Sequence, residues 1–236
     1  MKIKNTSTVT NNKLNIFIYG ESGAGKTTLA STIPVKTLVI SAESGLLSIK
    51  GKNIDYIDIS VDDEGNLIPK ENRFDRLGEV FAYLQTEQAR NTYQCIFLDS
   101  LTEMSQCLID SLKVKYPNKS DSLKLYGENS DLMLSLIKAF RDIPYYHVVV
   151  VALSKLDKDE TGKRFFSVDV VGKAADKVVG FFDEVFFLGV VQGENGEKRR
   201  ILVTDKTDKV TAKDRSSKLL PVEEANLSVI FNKILN

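Results

Sequence analysis

The sequence predicts an α/β fold of three layers, in which a mostly parallel β-sheet is covered by helices on both faces. Short apolar runs alternate with segments of helical spacing along most of the 236 residues, as expected of repeated strand–helix–strand units. The strand candidates are apolar at nearly every position, which is typical of parallel strands buried on both faces. Two late strand pairs joined by turn residues predict antiparallel hairpins at an edge of the sheet.

The predicted elements follow in a regular order. The parallel strands are five apolar runs, at residues 15–20, 36–43, 54–60, 94–100 and 145–153. Helical spacing runs over residues 25–33, ending before Pro34, and over 75–90, 101–116, 131–143, 172–182 and 222–235. Hairpins are predicted over residues 154–170 and 184–205. The polar residues 1–12 are predicted to be a flexible tail, and residues 13–236 a single domain.

Composition excludes several classes of protein. Lys plus Arg and Asp plus Glu both number 32, so any contact with DNA must come from a local basic patch. No apolar run approaches the ~20 residues that cross a bilayer, and the polar N-terminus lacks the apolar core of a signal peptide. We therefore expect a soluble, cytoplasmic protein without membrane contact. Cys95 and Cys107 lack metal-type spacing and are expected to be reduced, buried thiols.

A glycine-rich segment between the first strand and the first helix carries the clearest chemistry. The sequence GESGAGKT matches the pattern G-x-x-x-x-G-K-[ST], in which glycines let successive backbone N–H groups converge on phosphate oxygens. Lys26 is predicted to reach the terminal phosphates, and the Thr27 hydroxyl to ligate Mg²⁺. The predicted cofactors are therefore ATP and Mg²⁺. The predicted nucleotide-binding residues are Gly20, Glu21, Ser22, Gly23, Ala24, Gly25, Lys26, Thr27 and Thr28.

Polar residues at the ends of other strands complete the predicted site. Asp99 ends an apolar strand and is predicted to hold Mg²⁺ together with Thr27, because the carboxyl ends of parallel strands share one edge of a sheet. Ser100 follows it where many related enzymes have a catalytic glutamate. Glu43, at the end of the second strand, is therefore the predicted base for the attacking water, with Glu103 as a weaker rival. Ser154 ends the valine-rich strand and is a candidate contact for the γ-phosphate.

Five segments together carry a family resemblance: GESGAGKTT, LVISAESG, CIFLDSLTEM, VVVVALSK and TAKDRSSKLLP. Across residues 13–221 the chain resembles the phage-encoded P-loop ATPases of RecA-like type. These are small relatives of the RecA and Rad-type recombinases, found in phage recombination cassettes and described as single-strand annealing proteins. The resemblance implies a RecA-like fold, a homo-oligomeric ring or filament, and hydrolysis stimulated by DNA.

The resemblance also implies roles for particular residues. It places the catalytic glutamate at Glu43, and it makes Lys213 and Arg215 a basic pair that reaches the γ-phosphate of a neighbouring subunit. The implied partners are single-stranded DNA and a single-strand-binding protein. Lysines and aromatic residues after the fifth strand fit a DNA-binding loop: Lys155, Lys158, Lys163, Arg164 and Phe165.

Other functions stay open at this point. Ser154–Asp157 reads SKLD and resembles the guanine-reading element of GTPases. An AAA-type motor or helicase loader would keep the ATPase without a recombinase role. A module that holds ATP as a structural ligand, and a small-molecule kinase, are further alternatives. ATPase kinetics with and without single-stranded DNA separate these classes.

Overall fold

The computed structural model describes residues 13–43, 45–172, 174–193 and 195–236, without the side chain of Asp176. The predicted tail at residues 1–12 lies outside this part of the chain. A single ten-stranded sheet forms the centre of the molecule. Its strands are β1 Asn15–Gly20, β2 Thr37–Ser41, β3 Asp55–Asp58, β4 Cys95–Asp99, β5 His147–Lys158, β6 Arg164–Val168, β7 Glu184–Gln192, β8 Lys198–Val203, β9 Lys213–Asp214 and β10 Val222–Glu224.

The spatial order of the strands confirms the predicted mostly parallel sheet. The path runs β10-β8-β7-β1-β5-β4-β2-β3, with β6 paired to β5 and β9 to β7. All neighbours from β7 to β3 along this path are parallel. The antiparallel pairing of β8 with β7 confirms the hairpin predicted over residues 184–205. The strand β10 adds a further antiparallel pair at this edge.

Strand register brings the ends of the parallel strands to a common level. Gly20 pairs with Leu153 of β5 and with Leu188 of β7. Asp99 pairs with Ser41 of β2 and with Val151 of β5. We call this side of the sheet the carboxyl edge and the opposite side the amino edge. Ligands of open α/β sheets bind beyond the carboxyl ends of the strands.

Helices cover both faces because the buried strands are apolar on both sides. The helices are α1 Arg73–Leu84, α2 Glu87–Thr92, α3 Leu101–Lys115, α4 Ser122–Asp142, α5 Ala174–Phe181 and α6 Leu227–Leu235. Alternate residues of β1, Phe17 and Tyr19, join the core under α1, α3 and α4, while Ile16 and Ile18 pack with α6 on the other face. This division into two cores establishes the three predicted layers. Among the described residues, no helix combines the length and apolar character needed to span a bilayer.

Four predicted elements differ in the structure. The helix predicted over residues 75–90 is divided into α1 and α2, because the chain leaves the helix at Gln85 and Thr86 caps a new one by accepting the Ala89 N–H. The segment after the glycine-rich loop is a 3-10 helix, Thr27–Thr32. Its hydroxyls bond to carbonyls three residues earlier, Ser31 Oγ to Thr28 O and Thr32 Oγ1 to Leu29 O, both at 2.8 Å, and so compete with an α-helical pattern. The predicted last helix begins only at α6, because residues 222–224 pair as β10. The helix α4 begins nine residues earlier than its apolar spacing indicates.

The two cysteines are buried as expected, and the single histidine is partly buried. Both cysteines are free and buried, Cys95 in β4 and Cys107 in α3. The single histidine, His147, accepts a hydrogen bond at Nδ1 from the Leu14 N–H at 3.0 Å and packs against Phe231. Burial lowers the pKa of His147, so the neutral ring that this bond requires is favoured.

Candidate nucleotide site

The glycine-rich loop folds tightly against its neighbouring strand. Gly23 and Gly25 have φ of 75° and 102°, in the left-handed region that favours glycine. At Gly20 the constraint is spatial, since a Cβ atom there would lie 2.5 Å from the Leu188 carbonyl oxygen. These three glycines therefore hold a backbone path that other residues would strain. The loop is shaped as a phosphate-binding turn at the carboxyl edge.

Lys26 lies folded onto the loop itself. Its Nζ donates to the carbonyl oxygens of Gly20 at 3.0 Å and Glu21 at 2.9 Å, and the residue is buried. Burial lowers its pKa, while the charges of Glu43 and Asp99 raise it. The ammonium group is thus held at the mouth of the loop with two acids nearby, in the position predicted for a phosphate contact.

The two predicted Mg²⁺ ligands contact each other directly. Thr27 Oγ1 donates to Asp99 Oδ2 at 2.7 Å, and Asp99 is only 2% exposed. Burial raises the pKa of Asp99 to about 6, with a further increase from Glu43, against the Thr27 hydrogen bond and the charge of Lys26. A hydroxyl and a carboxylate are oxygen ligands of the kind that Mg²⁺ prefers, usually beside several waters. The residues present therefore fit this ion.

The predicted base, Glu43, is held in place by Ser100. The Ser100 hydroxyl donates to Glu43 Oε1 and receives the Glu103 N–H at 3.5 Å, while Ser100 is fully buried. Glu43 itself is exposed. The serine at this position therefore orients a carboxylate supplied by the neighbouring strand β2. An exposed carboxylate fixed beside a buried acid that is a predicted Mg²⁺ ligand is arranged to accept a proton from water.

Ser154 lies farther along β5, three residues beyond the partner of Asp99. Its Oγ is buried and finds no hydrogen-bond partner within the described part of the chain. The neighbouring Leu153 N–H donates to Thr102 Oγ1 at 2.9 Å. Ser154 thus reaches the carboxyl edge with a free hydroxyl, and its contact with a γ-phosphate stays a prediction.

Arg200 is a residue of the site that the sequence reasoning missed. Its Nε donates to the Ala24 carbonyl oxygen at 2.9 Å, and a Cβ on Gly25 would lie 2.6 Å from the same Nε. The arginine therefore lies directly on the phosphate loop. From the family resemblance, the basic segment KRR at residues 198–200 is expected in a possible second DNA-binding loop. The pairing of β8 with β7 instead brings it to the phosphate loop.

Lys213 and Arg215 lie at the amino edge, away from the loop of their own chain. Lys213 in β9 pairs with Val185 and donates to the Val179 carbonyl oxygen at 3.3 Å. Arg215 forms an ion pair with Asp183 at 2.6 Å. Within one chain these residues contact other partners, so their role toward a neighbouring subunit stays a prediction.

The predicted DNA-binding residues lie on the β5–β6 hairpin, which extends past the carboxyl edge. Lysine and arginine side chains there are exposed, and Lys158 faces Arg164 across the hairpin. Lys163 pairs with Asp208 at 2.6 Å, and Lys155 lies 3.9 Å from Asp157. Phe165 is partly buried and lines a cavity together with Tyr19 and Val179.

The SKLD element has a structural position of its own. It continues β5 in the hairpin, and its Asp157 accepts a hydrogen bond from Ser167 of β6. A guanine-reading aspartate would instead direct its carboxylate at a bound base.

A family model described as an AAA domain matches residues 12–216. The chain belongs to the AAA domain family. The matched range includes the glycine-rich loop, Glu43, Asp99 and the basic residues at 198–200 and 213–215. Membership supports a nucleotide-binding P-loop ATPase. No curated protein sequence matches the chain.

Among solved structures, the chain is similar to a prototypical ATPase from the type III secretion system of pathogenic bacteria. The identity is 14% and the TM-score 0.49, over 75% of this chain and 51% of the other. This chain therefore spans about half the length of the protein that it matches.

Proposed function

We propose that the protein is a Mg²⁺-dependent ATPase of RecA-like type that acts on single-stranded DNA in phage recombination or replication, by annealing or strand exchange. The observation that carries the ATPase part is the convergence of Thr27, Asp99 and Glu43 at one edge of the sheet, with Thr27 Oγ1 2.7 Å from Asp99. Membership in the AAA domain family supports the same activity.

The chemistry follows from the positions of these groups. Backbone N–H groups of the loop and the Lys26 ammonium bind the phosphates. Thr27 and Asp99 hold Mg²⁺, which supplies positive charge against the charge on the transferred phosphoryl group. Glu43 accepts a proton as water oxygen bonds to the γ-phosphorus, and the bond from that phosphorus to the bridging oxygen of ADP breaks. The products are ADP and phosphate.

The DNA part of the proposal rests on the hairpin and on β5. Exposed cations at the hairpin suit a phosphate backbone. The strand β5 runs without interruption from the partner of Asp99 to that hairpin, so DNA bound there contacts the same strand as the hydrolytic site. The positions of Lys213 and Arg215 at the amino edge are compatible with a contact to the next subunit of a ring or filament.

The test measures Mg²⁺-dependent ATP hydrolysis with and without single-stranded DNA. The variants are Glu43→Gln and its matched control Glu103→Gln, a residue whose backbone N–H contacts the same serine. We expect Glu43→Gln to lose about 10²-fold or more in turnover while it retains ATP binding, and Glu103→Gln to keep most of its turnover. We expect DNA to stimulate the wild type several-fold and the double variant Lys158→Ala, Arg164→Ala to lose that stimulation.

Opposite results would redirect the proposal. Full turnover in Glu43→Gln, with loss in Glu103→Gln, would move the base to α3. Hydrolysis that DNA leaves unchanged in every variant would remove the DNA role and favour an AAA-type motor or helicase loader. An absence of Mg²⁺-dependent hydrolysis in the wild type would contradict the ATPase itself.

A further inference from the structure

A cavity adjoins the phosphate loop on the side away from the hydrolytic residues. It has a volume of about 270 Å³ and is lined by the 3-10 helix, β8 and the end of β10. Its lining residues include Gly25, Thr28, Arg199, Arg200 and Glu224. A pocket of this size is too small for a whole nucleotide by the usual range of ligand sites, roughly 300–1,000 Å³, but large enough for part of one.

The strand order defines which part of a nucleotide lies on each side of the loop. The loop follows β1, and Asp99 lies on β4, two strands away in one direction. Arg200 lies on β8, two strands away in the other direction. At ~4.8 Å between neighbouring strands, each lies about 10 Å from β1 along the sheet. Since Asp99 and Glu43 are on the side where the terminal phosphate reacts, the remainder of the ligand extends toward β8.

The wall on that side is fixed in position. Arg200 donates through Nε to Ala24 O at 2.9 Å, and its carbonyl oxygen receives the Ala225 N–H at 3.3 Å. Thr32 Oγ1 receives the Leu227 N–H at 2.9 Å, which ties the start of α6 to the 3-10 helix. Within the described part of the chain, the terminal nitrogens of Arg200 form no hydrogen bond or ion pair. They are therefore available to a ligand.

We propose that this cavity seats the nucleoside of the bound nucleotide, with Arg200 as the wall between the nucleoside and the phosphate loop. The proposal rests on the ATP binding proposed above and adds where the base and ribose bind. A planar guanidinium is suited to the role, because it stacks on aromatic rings and donates to ribose or α-phosphate oxygens at the same time.

The experiment compares two ligands that differ only by the nucleoside. ATP and inorganic tripolyphosphate are titrated calorimetrically, both with Mg²⁺, into the full chain. Arg200→Ala removes the wall, and Ala225→Phe fills the cavity without altering the loop. Lys26→Ala reports on phosphate binding. Arg90→Ala is the matched arginine control, since Arg90 packs over Tyr145 near the start of β4 and β5, at the amino edge.

We expect Arg200→Ala and Ala225→Phe each to weaken ATP binding about tenfold or more and tripolyphosphate binding less than threefold. Lys26→Ala should weaken both ligands, and Arg90→Ala neither. Circular dichroism melting checks that each variant is folded. If Arg200→Ala does not fold, Ala225→Phe alone tests the proposal.

Two results would contradict the proposed nucleoside site but would still be compatible with ATP binding by the wild-type protein. One is an unchanged ATP affinity in both cavity variants while Lys26→Ala loses it. The other is an equal loss for ATP and tripolyphosphate in both variants, which would make this wall part of phosphate binding alone. Failure of the wild type to bind ATP would instead overturn the proposed function, and the nucleoside seat with it.

Discussion

At the carboxyl edge Asp99 is buried against Thr27 and Lys26, whereas at the amino edge Glu184 is buried beside a second carboxylate, Asp214. Burial raises the pKa of both acids, to about 6 for Asp99 and about 8 for Glu184. The difference comes from their neighbours. A hydroxyl donor and an ammonium group lower the pKa of Asp99, while contact with Asp214 raises that of Glu184 further. Asp99 therefore ionises at a lower pH than Glu184 does.

This contrast shows that a perturbed acid alone does not identify a functional site. Perturbed pKa values occur in structural networks as well as in active sites. Glu184 accepts the Ser216 N–H at 3.2 Å, and Asp214 accepts the N–H groups of Ser217 and Leu219, so this pair fastens the turn after β9. Asp99 instead faces the phosphate loop. The surroundings, and not the size of the shift, separate the two roles.

The largest effect is expected from removing the negative charge at the carboxyl edge. Asp99→Asn should reduce Mg²⁺-dependent ATP hydrolysis by about 10²-fold or more, because an amide is a far weaker ligand for Mg²⁺ than a carboxylate. Steady-state phosphate release at saturating Mg²⁺-ATP measures it. Glu184→Gln is the matched control at the amino edge and should hydrolyse ATP at close to the wild-type rate. Equal losses of hydrolysis in both variants would contradict the assignment of catalysis to the carboxyl edge alone.

The second prediction concerns stability at the amino edge. The raised pKa of Glu184 means that its stabilising contribution is complete below about pH 4.5 and is lost as pH rises through about 8. The side chain of Glu184→Gln is uncharged at every pH, so it does not repel Asp214 when the pH rises. We therefore expect the variant to exceed the wild type in free energy of unfolding by a few kcal/mol above pH 8. Urea unfolding at pH 6 and pH 9 tests this, and a gain that does not grow with pH would contradict it.

The third prediction returns to the carboxyl edge without metal or nucleotide. Asp99→Asn should be more stable than the wild type by about 1–3 kcal/mol above pH 6, since ionising this buried acid costs ~1.4 kcal/mol per pKa unit. Because the pKa of Asp99 is raised from 3.8 to about 6, the gain should fade as pH drops from 6 to 4. Thermal melting in chelator-containing buffer measures it. A variant that is inactive and also less stable would argue that Asp99 is chiefly structural.

Much of the site was predictable because it follows from strand ends. The sequence places Asp99 and Glu43 after apolar runs, and parallel pairing then brings them to the loop. The contact of Thr27 with Asp99 is a direct consequence of that rule. The role of Ser100 in holding Glu43 was not predicted, since it depends on the side-chain orientations of two neighbouring strands.

Other features depend on partners that are remote in the chain. Arg200 reaches Ala24 across 176 residues, through the antiparallel pairing of β8. Glu184 and Asp214 pair through β9, a strand of two residues that no periodicity reveals. The 3-10 helix was missed because apolar residues three apart are compatible with both kinds of helix. Local pattern therefore predicts the strand ends, and tertiary pairing decides the rest.

The smallest effect is expected at the surface of the amino edge. Arg215→Ala removes an ion pair with Asp183 in which the arginine side chain is 64% exposed, so stability should fall by less than about 1 kcal/mol. If Arg215 contacts a neighbouring subunit, the rate of ATP hydrolysis should fall severalfold although the free energy of unfolding changes little. This loss of rate should be greatest at protein concentrations that favour assembly. Phosphate release measured across a concentration series tests this. A small loss of hydrolysis that is the same at every protein concentration would indicate that Arg215 forms only its surface ion pair with Asp183.

The uninterrupted course of β5 has a thermodynamic consequence. One part of the strand pairs with Asp99, the predicted Mg²⁺ ligand, and the other carries the exposed cations of the hairpin. Any coupling between ligands at these two places is reciprocal, because the free energy of binding both is independent of the order of binding. A DNA strand that tightens ATP binding tenfold must itself be held tenfold tighter by ATP. Loss of the γ-phosphate would then be the event that weakens the hold on DNA.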